Sequence, residues 1–196
     1  MFLTKYPLHT ALTLDRPNHP ARGWDAKSPQ FQHRTAMELF EETQAEKPRE
    51  AFGVLFRLEK PSGQAPYFLI QSKVCPQHAP AGVEIKEFSV PQFEVGDVVT
   101  FKLSVNAIIR GARVTPVPLE DMDEWVANKL SGGLGDVAII THTRDTNRDS
   151  KMAIQVDVVE GFAVVTDPEA LTQMIVKGVG RAKSYGCGLL SVAKAG

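Results

Sequence analysis

The chain has 196 residues, 43% of them hydrophobic, which is enough to build one large or two small cores and excludes a disordered chain. Its net charge of −1 excludes a protein that coats nucleic acid through an overall basic surface, while a local basic groove stays open. No stretch approaches the ~20 apolar residues of a membrane span, so we expect a soluble, cytoplasmic protein without membrane contact.

The first half of the chain predicts a β-α-β-β pattern, followed by a degenerate second helix and a final strand. Residues 1–14 are typical of a strand and its exit, and residues 15–27 of a loop. Ser28 and Pro29 predict a helix start, because serine caps a helix and proline fits its first position. Three later strands are expected, the first two joined as a hairpin, at residues 51–59, 67–74 and 83–90.

The second half restarts this pattern and predicts β-α-β-β-α-β, the order of a ferredoxin-like domain. Strict alternation over residues 98–105 predicts a half-buried strand, and an apolar stripe over 119–130 predicts a helix. The remaining expectations are a short apolar run at 137–141, a polar mobile loop at 142–151, a strand at 154–158, a turn at Glu160-Gly161, a returning strand at 162–166, a helix from Asp167-Pro168 and a strand at 189–192.

The two halves together predict an α+β fold of tandem ferredoxin-like (RRM-like) domains, each an antiparallel sheet with helices on one face. We expect an N-terminal domain over residues 1–92 and a C-terminal domain over 97–196. Cys75 and Cys187 lack partners at metal-ligand spacing, so we expect buried thiols, no metal and no small-molecule cofactor.

A glycine-rich segment, residues 177–191, separates the last predicted helix from the last strand. Gly180 and three other glycines allow close backbone approach, and Arg181 and Lys183 supply positive charge, which suits a loop that meets phosphates. A structural turn whose cations only aid solubility is the alternative. The glycines follow a helix and precede a strand, the reverse of the dinucleotide fingerprint, which excludes that ligand.

This segment resembles the C-terminal motif of the CRISPR-associated repeat-processing endoribonucleases, most closely the CasE group of type I-E systems. The matching residues are Gly178-Val179-Gly180, Ala182-Lys183-Ser184 and Gly186-Cys187-Gly188-Leu189-Leu190-Ser191. Met1-Phe2-Leu3-Thr4-Lys5 and Gln32-His33-Arg34-Thr35 also resemble that group, so the resemblance spans nearly the whole chain. It implies the same tandem ferredoxin-like architecture.

His33 is the candidate catalytic residue. It lies in the second turn of the helix that opens at Ser28, where the positive helix end favours a neutral imidazole. From the residues alone, a histidine at the edge of the core is the alternative. The resemblance implies that a histidine of this helix takes part in cleavage. A tyrosine often precedes it in that family; here Gln30 and Phe31 stand nearby, and Tyr185 is one residue that could occupy the space.

The resemblance implies metal-independent RNA cleavage, in which the 2′-hydroxyl attacks the phosphorus and leaves a 2′,3′-cyclic phosphate and a 5′-hydroxyl. Basic residues clustered in two loops suit the backbone of an RNA stem, although any one of them can equally be a solvated side chain. The lysine at position 151 also occurs in the family. The predicted RNA-binding residues are Arg34, Arg110, Arg113, Arg144, Arg148, Lys151, Gly180, Arg181, Lys183, Ser184 and Tyr185.

The sequence therefore predicts an endoribonuclease that binds the repeat hairpin of precursor CRISPR RNA, cuts at its base and keeps the product. Its partners would be that RNA and the other protein subunits of Cascade. Two alternatives stay open: a non-catalytic RNA-hairpin-binding subunit of the same fold, and an unrelated tandem ferredoxin-like protein that binds a small molecule.

Overall fold

The computed structural model describes residues 1–16 and 23–195, which divide into two compact units. Unit 1 comprises Met1–Ser89, Asn147–Ala153 and Ser184–Gly186. Unit 2 comprises Val90–Thr146, Ile154–Lys183 and Cys187–Gly196. The expected domain bounds, residues 1–92 and 97–196, stay a prediction. Part of the loop predicted over residues 15–27 lies outside the described residues.

Unit 1 holds a four-stranded antiparallel sheet with the strand order β2-β3-β1-β4. Large apolar side chains fill its core, among them Phe31, Phe56 and Phe68, each at most 1% exposed. Its elements are β1 (Phe2–Pro7), α1 (Leu8–Thr13), α2 (Pro29–Met37), α3 (Pro48–Ala51), β2 (Leu55–Glu59), β3 (Tyr67–Ser72) and β4 (Glu84–Glu87).

The predicted elements of unit 1 are present, with two short helices added and each of the three later strands shorter than expected. Leu8, Ala11 and Leu12 share a helical face, so α1 forms where the strand was expected to exit. Pro48 begins α3, so the strand predicted from residue 51 starts only at Leu55. The described residues between β3 and β4 contain no helix, which confirms the degenerate second helix.

Unit 2 contributes a second antiparallel sheet, in the order β10-β5-β9-β8, and a separate two-stranded ribbon of β6 and β7. Alternate residues of β5 are buried, including Val99, Phe101 and Leu103, and they share one core with residues of both long helices. The elements are β5 (Val98–Val105), β6 (Ile108–Arg110), β7 (Val114–Pro116), α4 (Met122–Leu130), β8 (Leu134–Arg148), β9 (Ala153–Val165), α5 (Pro168–Lys177) and β10 (Leu190–Lys194).

Both units have the connectivity and strand order of a ferredoxin-like domain, which confirms the predicted α+β tandem fold. Strands 1 to 4 of such a domain lie in the order 2-3-1-4, and β1 to β4 follow it directly. In unit 2, β5, β8, β9 and β10 take the same four places. The Asp167 carboxylate accepts from Ala170 N and caps α5 at the predicted start.

Two expectations for the middle of unit 2 are wrong. The loop predicted at residues 142–151 is mostly strand, since β8 continues to Arg148. The turn predicted at Glu160-Gly161 is absent from the described chain, because β9 runs unbroken through both residues. A Cβ at Gly161 would collide with the carbonyl oxygen of Ala138, so this glycine permits close backbone approach rather than a turn.

The cysteine expectation holds for one residue only. Cys187 is buried, and burial raises the pKa of its thiol well above the usual range, whereas Cys75 is exposed. Among the described residues, no helix is long and apolar enough to cross a membrane.

Candidate functional site

His33 is held by a helix whose start is fixed locally. The Ser28 hydroxyl accepts from Phe31 N at 3.3 Å, which caps α2. Phe31 and Ala36 are buried on the core side of this helix, while His33 is half-buried and Arg34 is exposed. The helix thus presents an imidazole at the margin of the unit 1 core.

The His33 ring is fixed in one tautomer by a backbone carbonyl. Its Nδ1 lies 3.1 Å from the oxygen of Ser184, a residue of unit 1 that is 151 positions away in the sequence. Because a carbonyl oxygen only accepts, Nδ1 carries the hydrogen, and the neutral ring therefore has its lone pair on Nε2. A lone pair held in one orientation is what a general base requires.

The pKa of His33 is lowered from its ordinary value. Burial is the largest cause, and the positive charges of Arg49 and Arg34 act in the same direction. The hydrogen bond to Ser184 opposes this shift because it favours the protonated ring. The net effect keeps the imidazole neutral near pH 7.

Tyr185 lies beside His33 in the same unit. Residues Lys183–Tyr185 form a short 3-10 turn, and the phenol ring of Tyr185 is tilted 57° to the imidazole, with 6.2 Å between ring centres. Lys183 donates from Nζ to Lys177 O at 2.8 Å within unit 2. Three of the predicted residues, His33, Ser184 and Tyr185, are therefore neighbours.

Gln32 ties α2 to the end of the β8–β9 hairpin within unit 1. This side chain is 1% exposed, and its Nε2 donates to Ala26 O at 2.8 Å. Its Oε1 accepts from Asn147 Nδ2 at 3.1 Å. The Ser28 hydroxyl also lies 3.2 Å from Asp149 Oδ2 and donates to it. These bonds hold the hairpin end, which carries Arg148 and Lys151, against the helix of His33.

A pocket of about 740 Å³ opens beside His33 in unit 1. It joins apolar side chains to charges of both signs. Its lining residues are His33, Met37, Phe40, Glu41, Glu42, Thr43, Lys47, Pro48, Arg49, Glu50, Phe52 and Ser184. Sequence reasoning missed Lys47, Arg49 and Phe52, because Lys47-Pro48 signalled only the end of a helix.

The other predicted RNA-binding residues are distributed over both units. Arg148 and Lys151 are exposed in unit 1. In unit 2, Arg110 and Arg113 are exposed on the β6–β7 ribbon, and Gly180 and Arg181 are exposed in the glycine-rich segment. Their contact with RNA stays a prediction.

Arg144 has partners inside unit 2. Its Nε donates to Asp157 Oδ1 at 2.6 Å, and its Nη2 donates to Val117 O at 2.8 Å. Asp157 is fully buried and is also 2.8 Å from His142 Nε2 and from Gln155 Nε2. The guanidinium of Arg144 therefore neutralises a buried carboxylate. Within the described ranges, no three His, Cys, Asp or Glu side chains group as a metal site.

Comparison with known proteins shows which family the chain belongs to. The model of the family described as "CRISPR associated protein" matches residues 1–194, and the chain belongs to that family. It is 30% identical to the CRISPR system Cascade subunit CasE of Escherichia coli strain K12, over 88% of this chain and 95% of that protein. The resemblance inferred from the sequence motifs is thereby confirmed.

Solved structures support the same relationship. Cse3 of Thermus thermophilus, bound to an RNA that represents a pre-cleavage complex, is 26% identical with a TM-score of 0.74 and 98% coverage of each chain. A CRISPR endoribonuclease Cse3 bound to 19 nt RNA is also 26% identical, with a TM-score of 0.71 over 98% of this chain and 100% of that one.

Proposed function

We propose that this protein is a metal-independent endoribonuclease that binds the repeat hairpin of precursor CRISPR RNA and cleaves at its base. The products are a 2′,3′-cyclic phosphate and a 5′-hydroxyl. The protein keeps the hairpin product and acts as a subunit of Cascade. Its relatives named as an RNA-bound endoribonuclease and as a Cascade subunit support this assignment.

The observation that carries the proposal is the state of His33. The imidazole is half-buried, its pKa is lowered, and Nδ1 donates to Ser184 O, so Nε2 is available as a base at neutral pH. RNA supplies its own nucleophile, so a site with one oriented base and nearby cations is sufficient for this reaction class.

The proposed reaction is an internal transesterification. Nε2 of His33 takes the proton of the 2′-hydroxyl, the 2′-oxygen bonds to phosphorus, and the bond from phosphorus to the 5′-oxygen breaks. The leaving 5′-oxygen takes a proton, for which the Tyr185 phenol beside His33 is the proposed donor. Arg34 and Arg49, whose charges act on His33, are the proposed groups that stabilise the phosphorane charge.

RNA binding is assigned to the sequence-predicted cations and to the glycine-rich segment. The proposed contacts of unit 1 are Arg34, Arg148 and Lys151. Those of unit 2 are Arg110, Arg113 and Arg181. Gly180 and Lys183 in unit 2, and Ser184 and Tyr185 in unit 1, are further proposed contacts with RNA. Arg144 is also proposed to contact RNA. The alternative is that it stabilises the fold, because it is bonded to the buried Asp157.

The decisive experiment incubates the protein with its repeat RNA in excess chelator, with the product ends identified. A matched RNA carries hydrogen in place of the 2′-hydroxyl at the cut. We expect cleavage of the first RNA, binding without cleavage of the second, and cyclic phosphate ends. Cleavage of the deoxy RNA would mean that water attacks. Binding of both RNAs without any cleavage would favour the non-catalytic subunit, and failure to bind RNA at low salt would favour a small-molecule binder.

A further inference from the structure

The pocket beside His33 is larger than acid-base chemistry requires. Its volume of about 740 Å³ lies within the ~300–1,000 Å³ typical of sites that enclose a small organic ligand. His33 and Ser184 form one part of its wall, so whatever fills it lies next to the proposed reacting groups. A phosphodiester at His33 would leave most of this volume for a neighbouring group.

The apolar part of the wall is aromatic. Phe40 and Phe52 stack on each other with ring centres 5.4 Å apart and planes at 23°, and Met37 lies beside them in the lining. Phe40 is buried at 6% exposure, while Phe52 is half-buried. Aromatic faces are the surfaces on which unpaired nucleobases stack.

The charged residues of the pocket wall indicate whether a nucleobase or a phosphate fits the pocket better. Lys47 and Arg49 are positive, but Glu41, Glu42 and Glu50 outnumber them, so the lining has no excess of positive charge to attract a second phosphate. Carboxylates instead accept hydrogen bonds from the amino groups of nucleobases. The balance of charge therefore favours a base inside the pocket, with its phosphate near His33.

We propose that the pocket formed by Met37, Phe40, Lys47, Arg49 and Phe52 beside His33 holds the base of the first nucleotide after the scissile phosphate. The inference rests on the proposed function. The proposal takes the cut to lie on the 3′ side of the hairpin base, where the preceding nucleotide is paired in the stem and the following nucleotide is unpaired. An unpaired base enters a pocket without the cost of breaking a base pair. Holding it there aligns the leaving 5′-oxygen with the attacking 2′-oxygen.

The test compares single-turnover cleavage of three repeat RNAs by the wild-type protein. One RNA is intact, one is abasic at the first nucleotide after the cut, and one is abasic several nucleotides further on. We expect the first abasic RNA to be cleaved about tenfold more slowly, as expected for one lost stacking contact. The distal abasic RNA should be cleaved at the intact rate.

Combining the Phe52→Leu variant with the abasic RNA tests whether the slower cleavage arises from a lost contact in the pocket. The variant should cleave intact RNA more slowly and show a smaller additional penalty for the adjacent abasic site. Phe2→Leu, a half-buried phenylalanine of β1 outside the pocket, should keep the full penalty. Equal rates on intact and abasic RNA, or a full penalty in Phe52→Leu, would overturn the pocket assignment and leave the proposed function standing. Failure to cleave any RNA would overturn both.

Discussion

At the scale of single residues, His33 combines two opposed influences. Burial and the charges of Arg49 and Arg34 favour the neutral ring, while the Ser184 carbonyl favours the protonated one. The first set prevails, so the pKa lies below the ordinary histidine value of about 6.5. The carbonyl keeps a separate role, because it fixes which nitrogen holds the lone pair.

The pH dependence of cleavage should report this balance. We expect kcat/KM to rise with pH and level off, with the midpoint of the acid limb below 6.5, because the free enzyme must hold His33 neutral. Single-turnover rates at subsaturating enzyme between pH 4.5 and 8, about the range over which a histidine titrates, measure it. A midpoint at or above 6.5 would contradict the assignment of His33 as the base.

Stability should follow the same titration. Since the folded pKa is lowered, the unfolded chain binds a proton more readily than the folded one. The free energy of unfolding therefore falls as pH drops through about 6.5 towards the folded pKa, and none is lost above that window. His33→Gln should remove this part of the pH dependence.

Substitution of the two neighbouring rings should separate their roles. His33→Ala should slow single-turnover cleavage by about 10²–10⁴ while hairpin affinity stays within a few-fold, since acid-base groups act mainly in the transition state. Tyr185→Phe keeps the ring and removes only the hydroxyl, so it should lower the rate without weakening binding. Removal of the exposed His78 imidazole serves as the control. Normal cleavage by a folded His33→Ala protein would exclude His33.

Arg144 offers a contrast between support of the fold and contact with RNA. Its guanidinium is bonded to Asp157, which is fully buried, so Arg144→Ala should lower the free energy of unfolding by about 3 kcal/mol. The exposed Arg148 serves as the control, and its alanine variant should change stability by less than about 0.5 kcal/mol. Urea unfolding measures both. Unchanged stability with weakened RNA binding would instead favour direct contact by Arg144.

At the scale of elements, strands with one strictly buried face were predictable, and so was the apolar part of β8 at residues 137–141, whereas the polar continuation of β8 was not. In β5 the buried residues alternate with exposed or half-buried ones over most of its length, so apolar letters mark the strand. In β8, Leu134 is the only buried residue, and the rest alternate between half-buried and exposed. From His142 to Arg148 the strand carries polar residues on both sides, so this part of the sequence is typical of a loop.

Gly161 shows how one residue type supports two structures. Glycine followed by an apolar run is typical of a turn, yet here it lies inside β9, where the Ala138 carbonyl occupies the space of a side chain. The sequence shows a glycine at this position but not why it is required, because the atom that excludes a side chain lies on another strand.

Gly161→Ala should therefore destabilise the protein through a backbone clash. We expect a loss of about 3 kcal/mol, since β8 and β9 must separate to admit a methyl group. Gly180→Ala is the matched control: its φ is +77° but no atom lies within 4 Å of the added carbon, so about 1 kcal/mol of backbone strain is expected. Thermal unfolding compares them. A smaller loss for Gly161→Ala than for Gly180→Ala would contradict the close approach.

At the scale of the whole molecule, the repeated fold was predictable because each half carries its own local pattern of helices and strands. The candidate site was predictable only in part. His33 follows from a helix start and a motif, but its partner Ser184 is 151 positions away. Local patterns do not encode which distant carbonyl meets an imidazole. The pocket residues Lys47, Arg49 and Phe52 were not predicted for the same reason, because they come close to His33 only in the folded chain.

The end of the β8–β9 hairpin is built to present cations in a fixed place. Asp149 Oδ1 accepts from the backbone N–H groups of Lys151, at 2.8 Å, and Met152, at 3.1 Å. These hydrogen bonds hold the pKa of the Asp149 carboxyl below its usual range, and the bond from Lys151 has the largest effect. The carboxylate of Asp149 thus fixes the turn by accepting from its backbone. Arg148 and Lys151 stay exposed on either side of it.

A chain with a net charge of −1 must bind RNA through such local groups, so the salt dependence of hairpin affinity should be carried by few residues. Arg148→Ala and Lys151→Ala should each weaken binding and reduce the slope of log K against log salt by about one unit or less. Lys129→Ala, on the exposed side of α4, removes the same charge elsewhere and should leave the slope unchanged. Titrations over a range of salt concentrations measure all three. If the two hairpin variants keep the wild-type slope while folding normally, the hairpin end does not contact phosphate and the stem must bind elsewhere.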